Sequence, residues 1–245
     1  MPVRLLTPFE KNHLLKFGFN PEKIIDYGEI PVEYITGQAK FLNDYFVVNQ
    51  NVLIPRVETE ELVEKIIEIY QTKKEIRFLE IGTGSGAIGL SLFNKFLSFG
   101  VQVSCVLTDV SNVALEVAKT NRNNLVDQEK QANIQLLQSD LLENLKEVNF
   151  DFCVANLPYI PSARLGALPV SVKDFEPHLA LDGGIDGLAV IKRLVIELKE
   201  RGFQGDVFLE VDDSHTQEKL DDLTVIIQDV WLDSFAKNRF VRLMI

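Results

Sequence analysis

The sequence predicts an α/β fold built on a seven-stranded, mostly parallel sheet. From Ile76 onward, apolar runs of strand length alternate with segments in which apolar residues recur at helical spacing. Strands that alternate with helices along a chain form a parallel sheet covered by helices on both faces. The last two apolar runs are separated only by the turn at 233–236, so we expect them to pair antiparallel and give the sheet one reversed strand.

The predicted elements divide the chain into three units. Residues 1–30 carry a shortened N-terminal segment of helical pieces. Residues 31–55 place aromatic and β-branched residues among turn formers, which predicts a β-hairpin linker. Residues 56–245 form the main α/β domain, which opens with a helix whose first turn is acidic. Its strands are expected near 76–81, 102–108, 134–138, 150–155, 205–211, 223–230 and 238–244.

Composition excludes several classes of protein. Of the 245 residues, 46% are hydrophobic and 25% are charged, a balance typical of a globular protein that buries a core. The sequence contains no apolar run of about 18 residues, so a membrane span is not expected. Its start lacks the apolar stretch of a signal peptide, and we expect a cytoplasmic protein. A net charge of −11 disfavours non-specific nucleic-acid binding and better suits a protein partner with a basic surface.

Neither a metal site nor a disulfide is expected. Cys105 and Cys153 lie in apolar strand-like runs, which is typical of reduced thiols buried in a core. The 3 histidines are scattered along the chain, so a zinc site is disfavoured.

A glycine-rich turn follows the first strand of the main domain. It reads Glu80, Ile81, Gly82, Thr83, Gly84, Ser85 and Gly86, and a helical pattern comes next. Glycine tolerates positive φ and lets a ligand approach the backbone, while amides at a helix start can donate to that ligand. Residues 84–89 match the dinucleotide pattern G-x-G-x-x-G, whereas residues 80–86 match the E-x-G-x-G-x-G loop of S-adenosylmethionine (SAM) methyltransferases. A third interpretation is a tight turn that binds no ligand.

Acidic residues follow the next two predicted strands, at the edge where such sheets bind ligands. Asp109 comes roughly 20 residues after the glycine turn, where a carboxylate can bind the ribose hydroxyls of an adenosine. Capping the next helix is its alternative task, which Ser111 could perform equally well. Asp140 can accept from an adenine amino group while Leu141 packs on the ring, and its alternative is also a helix cap.

The fourth strand of the main domain ends in Asn156, Leu157, Pro158 and Tyr159. The Asn156 amide oxygen and the Leu157 carbonyl are two acceptors that can hold both N–H bonds of a planar –NH₂ group. Such hydrogen bonds favour a pyramidal nitrogen whose lone pair points at a methyl donor. Pro158 restricts the backbone, and the Tyr159 ring can stabilise a nearby cation. This arrangement favours methyl transfer and gives the dehydrogenase interpretation no use for these residues.

With these residues, the sequence resembles the glutamine N(5)-methyltransferases of peptide chain release factors, the HemK/PrmC family. The similarity runs from about Pro31 to the C-terminus and includes segments 31–37, 52–60 and 175–184. The segments Ile-Pro-Arg-Val-Glu-Thr-Glu at 54–60 and Glu-Pro-His-Leu-Ala-Leu at 176–181 are the most specific. The family's tetrapeptide is usually Asn-Pro-Pro-Tyr, and here Leu157 replaces the first proline while its carbonyl remains.

The resemblance implies a Rossmann-like, SAM-dependent methyltransferase that acts on a glutamine side chain of a protein, the Gly-Gly-Gln motif of a release factor. SAM is then bound by residues 82–86, Asp109, Leu141 and Asn156, with Glu80 and Asp140 as further cofactor residues. Pro55 and Arg56 line the pocket mouth, although an ion pair between Arg56 and Glu58 or Glu60 is an alternative. A monomer is favoured.

Two other activities stay open at this point. Asn-Leu-Pro-Tyr at 156–159 also resembles the rRNA adenine N(6)-dimethyltransferases, so a methyltransferase that acts on adenine in RNA or DNA is the second candidate. A SAM-binding module without catalysis is the third. The family normally carries a substantial N-terminal helical domain that recognises the release factor, and the short segment here leaves the protein substrate unidentified.

Overall fold

A computed structural model describes residues 4–245, with the side chains of residues 24–26 excepted. The strands are β1 (Gln38–Phe41), β2 (Asp44–Val47), β3 (Glu75–Ile81), β4 (Gln102–Asp109), β5 (Ile134–Gln138), β6 (Phe152–Ala155), β7 (Asp206–Glu210), β8 (Ile226–Leu232) and β9 (Asn238–Met244). The α-helices are α1 (Pro8–Lys16), α2 (Val32–Thr36), α3 (Val57–Tyr70), α4 (Ala87–Ser98), α5 (Asn112–Leu125), α6 (Val170–Lys173), α7 (Ala189–Glu200) and α8 (Gln217–Asp221). Short 3₁₀ helices cover Pro21–Tyr27, Gln131–Asn133, Ser162–Ala167 and His178–Ala180.

The main sheet has seven strands in the order β5-β4-β3-β6-β7-β9-β8. Neighbouring strands from β5 to β7 pair in parallel, whereas β9 is antiparallel to both β7 and β8. The predicted fold class, a mostly parallel sheet with one reversed strand, is therefore confirmed. The seven strands also begin and end within three residues of the predicted positions.

Two apolar layers lie on opposite faces of this sheet. Phe78 of β3 stacks on Phe152 of β6, with ring centroids 5.2 Å apart, in the layer that α3 and α4 cover. The next residue, Leu79, belongs to the layer beneath α7. Successive strand residues point to opposite faces, so a continuous apolar run such as 76–81 supplies both layers. Both cysteines are free and buried in this core, as predicted.

The residues before α3 pack against the same domain. β1 and β2 form a two-stranded antiparallel sheet within the region predicted as a hairpin. α1 begins at a capping box in which the Thr7 side chain accepts from Glu10 N. The three-unit division of the chain stays a prediction. Within residues 4–245, no helix has both the length and the apolar character needed to cross a bilayer.

Candidate active site

The carboxyl ends of β3, β4 and β6 meet around a cavity of about 490 Å³. This is the edge at which parallel sheets bind ligands. Most of the sequence-predicted site residues line it: Pro55, Arg56, Glu80, Gly82, Thr83, Gly84, Ser85, Asp109, Asp140, Leu141, Asn156, Leu157 and Pro158. Gly86 and Tyr159 are not among the lining residues.

The glycine loop, residues 82–86, adopts backbone angles that side chains disfavour. Gly82, Gly84 and Gly86 have φ values of +74°, +55° and +83°, in the left-handed region that glycine enters without steric cost. A Cβ on Gly82 would come within 3.2 Å of the Leu157 side chain, so this residue is fixed by both conformation and space. A Cβ on Gly84 would have no atom within 4 Å, which leaves its backbone open to a ligand.

The buried carboxylate of Glu80 is hydrogen-bonded to the glycine loop and to the start of α4. Its carboxylate accepts from Thr83 Oγ1 at 2.6 Å and from Gly89 N at 3.1 Å, and the residue is 1% exposed. Burial raises the pKa of Glu80 to about 8, against the opposing effect of these two hydrogen bonds. Glu80 therefore stabilises the glycine loop and the start of α4 through hydrogen bonds. Its contact with a cofactor stays a prediction.

Asp109 joins the glycine loop to the end of β4. One carboxylate oxygen accepts from Gly84 N at 2.8 Å and the other from Ser111 N at 2.9 Å. The N-cap of α5 is Ser111, whose side chain accepts from Ala114 N, so helix capping is not the task of Asp109. Burial raises the pKa of Asp109. A carboxylate oxygen accepts more than one donor, so Asp109 can still bind hydroxyls in the cavity.

Asp140 and Leu141 form a further part of the wall. Asp140 pairs with Arg193 at 3.0 Å on the surface of α7. The helix-cap alternative for Asp140 is wrong, because residues 141–144 form turns and no helix begins there. Leu141 is buried and has φ +46°, a conformation that a branched residue rarely adopts. The backbone is therefore held under strain where its side chain meets the cavity.

Asn156 reaches the cavity from the end of β6 with one end of its amide already engaged. Its Nδ2 donates to Glu210 Oε2 at 2.9 Å, with a longer contact of 3.4 Å to Thr59 Oγ1. Among the described residues, none donates to Asn156 Oδ1 or to the Leu157 carbonyl oxygen. These are the two acceptors that the sequence assigned to an –NH₂ group.

Tyr159 is held by the same carboxylate. Its hydroxyl donates to Glu210 Oε1 at 2.8 Å, and burial raises its pKa. Glu210 was missed by sequence reasoning. It is 1% exposed at the carboxyl end of β7. A charged residue that closes an apolar strand at the ligand-binding edge was the signal that could have found it.

The segment at 181–187 braces the tetrapeptide, residues 156–159, from outside. Ile160 N donates to Leu181 O, and Gly183 N donates back to Ile160 O at 2.9 Å. A Cβ on Gly183 would lie 2.8 Å from Pro158 O, and one on Gly187 would overlap Tyr159 O. The glycines of this segment let two stretches of backbone touch.

Arg56 pairs with a distant carboxylate at the cavity mouth. Its Nη2 donates to both oxygens of Glu176, at 2.6 and 2.7 Å. The predicted alternative, an ion pair with Glu58 or Glu60, is wrong, since Glu176 is the carboxylate that Arg56 contacts and Glu60 accepts from Leu42 N. Burial raises the pKa of Glu176, and the adjacent guanidinium opposes that shift. The pair links two segments, 54–60 and 176–181, whose contact no local pattern predicts.

Known proteins share sequence with this chain. The family model described as "Methyltransferase small domain" matches residues 59–174. A release factor glutamine methyltransferase of Lactococcus lactis is 35% identical over 219 residues, which cover 86% of this chain and 76% of the relative. This chain belongs to the release factor glutamine methyltransferase family. The predicted family is therefore confirmed.

Two further matches show how much of a relative this chain covers and which solved structure shares its fold. A relative from Leptospira interrogans is 41% identical over 184 residues, and the match covers 73% of this chain but 62% of the relative. The chain thus spans less than two thirds of that protein's length. A solved methyltransferase structure from Pyrococcus furiosus has a TM-score of 0.54 at 14% identity and covers 97% of this chain and 98% of that one. It shares the fold.

The family is SAM-dependent, and the cavity lining offers groups that can bind an adenosine portion. Gly84 exposes its backbone to the cavity, and Asp109 adds a carboxylate to the lining. Leu141 provides an apolar surface beside them. These features match a nucleoside with a hydroxylated sugar and a flat base.

Proposed function

We propose that this chain transfers a methyl group from SAM to the side-chain amide nitrogen of a glutamine in the Gly-Gly-Gln motif of a peptide chain release factor. The observation that carries the proposal is the orientation of Asn156. With Nδ2 held by Glu210, the Oδ1 atom is the end of the amide left to accept from a substrate –NH₂.

The residues proposed to bind the cofactor lie in the glycine loop and after the carboxyl ends of β4 and β5. Residues 82–86, Asp109, Asp140 and Leu141 would hold the cofactor, and all of them except Gly86 line the cavity. SAM supplies an electrophilic methyl group on a sulfonium.

At the substrate nitrogen, the chain acts by position. Asn156 Oδ1 and the Leu157 carbonyl accept the two N–H bonds, which removes the amide from its planar, unreactive form. Hydrogen bonds to Glu210 and to the segment at 181–187 hold the stretch that carries both acceptors, so they are in place before positive charge develops on the nitrogen. Holding the nitrogen in line with the methyl group supplies most of the rate. The proton leaves to water, so no general base is assigned.

The partner and the location follow from this activity. The substrate is a release factor that carries the glutamine, and the site of action is the cytoplasm, where translation ends. The net charge of −11 is compatible with docking of a basic protein surface. The carboxyl edge of the sheet is the face that receives it.

The test is to incubate the protein with deuterium-labelled SAM and a mixture of release factors and ribosomal RNA. We expect mass spectrometry to place the label on the glutamine of Gly-Gly-Gln. Asn156→Ala is the matched variant, for which we expect transfer to fall by at least about 100-fold while SAM binding by calorimetry is kept.

Other outcomes would replace the proposal. Label on an RNA adenine would make the chain an adenine N(6)-methyltransferase. SAM binding without label on any release factor would make it a binding module. Full turnover by Asn156→Ala would remove Asn156 from its role.

A further inference from the structure

Glu210 is a buried carboxylate that reaches the active site only through other side chains. It closes β7 and is 1% exposed. Thr59 Oγ1 and Asn156 Nδ2 donate to its Oε2, and the Tyr159 hydroxyl donates to its Oε1. It does not line the cavity, so it is not placed to touch cofactor or substrate.

A side-chain amide has two ends of nearly equal size and opposite hydrogen-bonding character. Rotation of Asn156 by half a turn exchanges its acceptor oxygen for a donor –NH₂ without a steric penalty. With –NH₂ facing the cavity, a substrate –NH₂ meets a donor and is repelled. The proposed reaction therefore depends on which end of this amide points inward.

We propose that Glu210 is a positioning residue that fixes the Asn156 amide with its oxygen toward the cavity. An ionised carboxylate has only acceptor atoms, so it attracts Nδ2 and repels Oδ1. This inference rests on the proposed function, because it assigns a cause to the orientation that the methyl transfer requires.

Thr59 adds to the same control. A hydroxyl has a single proton, and here that proton is directed to Glu210 at 2.7 Å. Thr59 Oγ1 can then only accept from Asn156, and its 3.4 Å contact is with Nδ2. The Tyr159 proton is directed to the other oxygen of the carboxylate. All three neighbours therefore point hydrogens at one acceptor-only group.

Protonation of Glu210 would remove its preference for Nδ2, because a carboxylic acid can donate as well as accept. The charged and titratable groups that face it are Glu58 from α3, Tyr159 from the loop after β6, and Arg239 from β9. Burial raises the pKa of Glu210, Glu58 adds to the rise, and Arg239 opposes it. As the pH falls through this pKa, the amide loses its fixed direction and methyl transfer should fall with it.

Two substitutions separate this role from a packing role. Glu210→Met keeps the length of the side chain and removes both acceptors, whereas Glu210→Gln keeps one oxygen that can face Asn156. We expect kcat to fall about 100-fold in Glu210→Met and about tenfold in Glu210→Gln, with the Kd for SAM within about threefold of native in both. Glu64→Gln, the same amide substitution in an exposed carboxylate of α3 outside this hydrogen-bond network, should keep native kcat.

The pH profile supplies the second readout. The native enzyme should lose kcat on the acid side through the raised pKa of Glu210, and Glu210→Gln should lack that acid limb. A buried apolar substitution can prevent folding, in which case the Gln variant decides. Native kcat in Glu210→Met, or a native acid limb and native kcat in Glu210→Gln, would overturn the inference. If the native protein itself transfers no methyl group to a release factor, the proposed function fails and not this assignment.

Discussion

The glycine loop and the tetrapeptide lie side by side at the same sheet edge, and they are held in different ways. The glycine loop is held mainly from nearby in sequence: Glu80 binds Thr83 three positions away and Gly89 nine positions away. Its more distant partners, Asp109 and Asn121, lie 25 and 36 positions from the loop residues that they bind. The tetrapeptide is held by distant segments. Asn156 reaches Glu210 across 54 positions and Thr59 across 97.

This difference separates the two tasks proposed for the site. The loop proposed to bind SAM is nearly complete within the β3–α4 unit and the end of β4. The acceptors proposed for the glutamine exist only when α3, β7 and the segment at 181–187 have come together. Substitutions in or beside the glycine loop should therefore change the affinity for SAM. Substitutions in the distant segments that hold the tetrapeptide should change the rate of methyl transfer.

The largest expected effect comes from Gly187→Ala, which is 28 positions from Tyr159. The new Cβ would overlap Tyr159 O and lie 2.8 Å from His215 Nε2, and φ there is +78°. We expect the unfolding free energy to fall by about 1–3 kcal/mol because the site is overpacked. Transfer should fall by about 100-fold as the acceptors move out of line, with the SAM Kd within about threefold. Denaturant titration, single-turnover kinetics and calorimetry measure the three quantities.

Gly166→Ala is the matched control for this substitution. A Cβ at Gly166 would have no atom within 4 Å, and its φ lies outside the left-handed region. It should be neutral in all three assays. If Gly187→Ala lost SAM affinity and kept its single-turnover rate, the glycine loop and the tetrapeptide would not have the separate roles proposed here.

Asp109→Ala should give the opposite pattern. It removes the carboxylate proposed for the ribose and the acceptor of Gly84 N, so we expect the Kd for SAM to rise about 10- to 100-fold. At saturating SAM, the rate of transfer should stay within about threefold of native, because Asn156 and its partners are untouched. Calorimetry and saturation kinetics check both.

Asp151→Ala is the control for lost charge. Asp151 binds Lys73 and Arg77 N at the other edge of the sheet. Its removal should lower stability and leave SAM affinity unchanged. A loss of rate at saturating SAM in Asp109→Ala would place this residue in the transfer step and break the division proposed above.

The same difference explains which parts of the site the sequence revealed. The glycine loop is encoded locally: an apolar strand, a carboxylate, and three glycines whose positive φ values require that residue. Asp109 also follows from position alone, since it ends the neighbouring strand. Sheet topology could be predicted for a similar reason, because alternating strands and helices permit few arrangements.

The supports of the tetrapeptide could not be predicted in this way. Nothing near Glu210 in sequence indicates that it holds Asn156, because that contact depends on how β6 and β7 are placed side by side. Arg56 and Glu176 pair across 120 positions, and the sequence suggested nearer carboxylates instead. Asn121 is a similar case. Its side chain is fully buried and donates to the carbonyl oxygens of Val47 in β2 and Ser85 in the glycine loop. In the sequence, Asn121 is only one of several polar residues in α5, so nothing there predicts these contacts.

The smallest expected effect concerns Glu80, and it tests whether the glycine loop is as self-contained as its contacts indicate. The pKa of Glu80 is about 8 in the folded protein and 4.5 in an unperturbed glutamate. Between these pH values, the folded state holds a proton that the unfolded state has released. The unfolding free energy therefore falls as the pH rises, by up to about 1.4 kcal/mol per pH unit from this group. Glu80→Gln cannot titrate, so its stability should depend less on pH between 5 and 8 than native stability does, by roughly that slope.

Urea denaturation at several pH values measures this difference, and Glu147→Gln controls for the loss of one surface charge. Glu147 pairs with Arg77 in an exposed ion pair, so its substitution should leave the native slope nearly unchanged. Because the Glu80 carboxylate binds only loop and helix-start groups among the described residues, its substitution should leave transfer at saturating SAM intact. A native slope in Glu80→Gln would mean that Glu80 stays ionised in the folded protein. A lost transfer rate would mean that the loop also positions the substrate acceptors across β3 and β6.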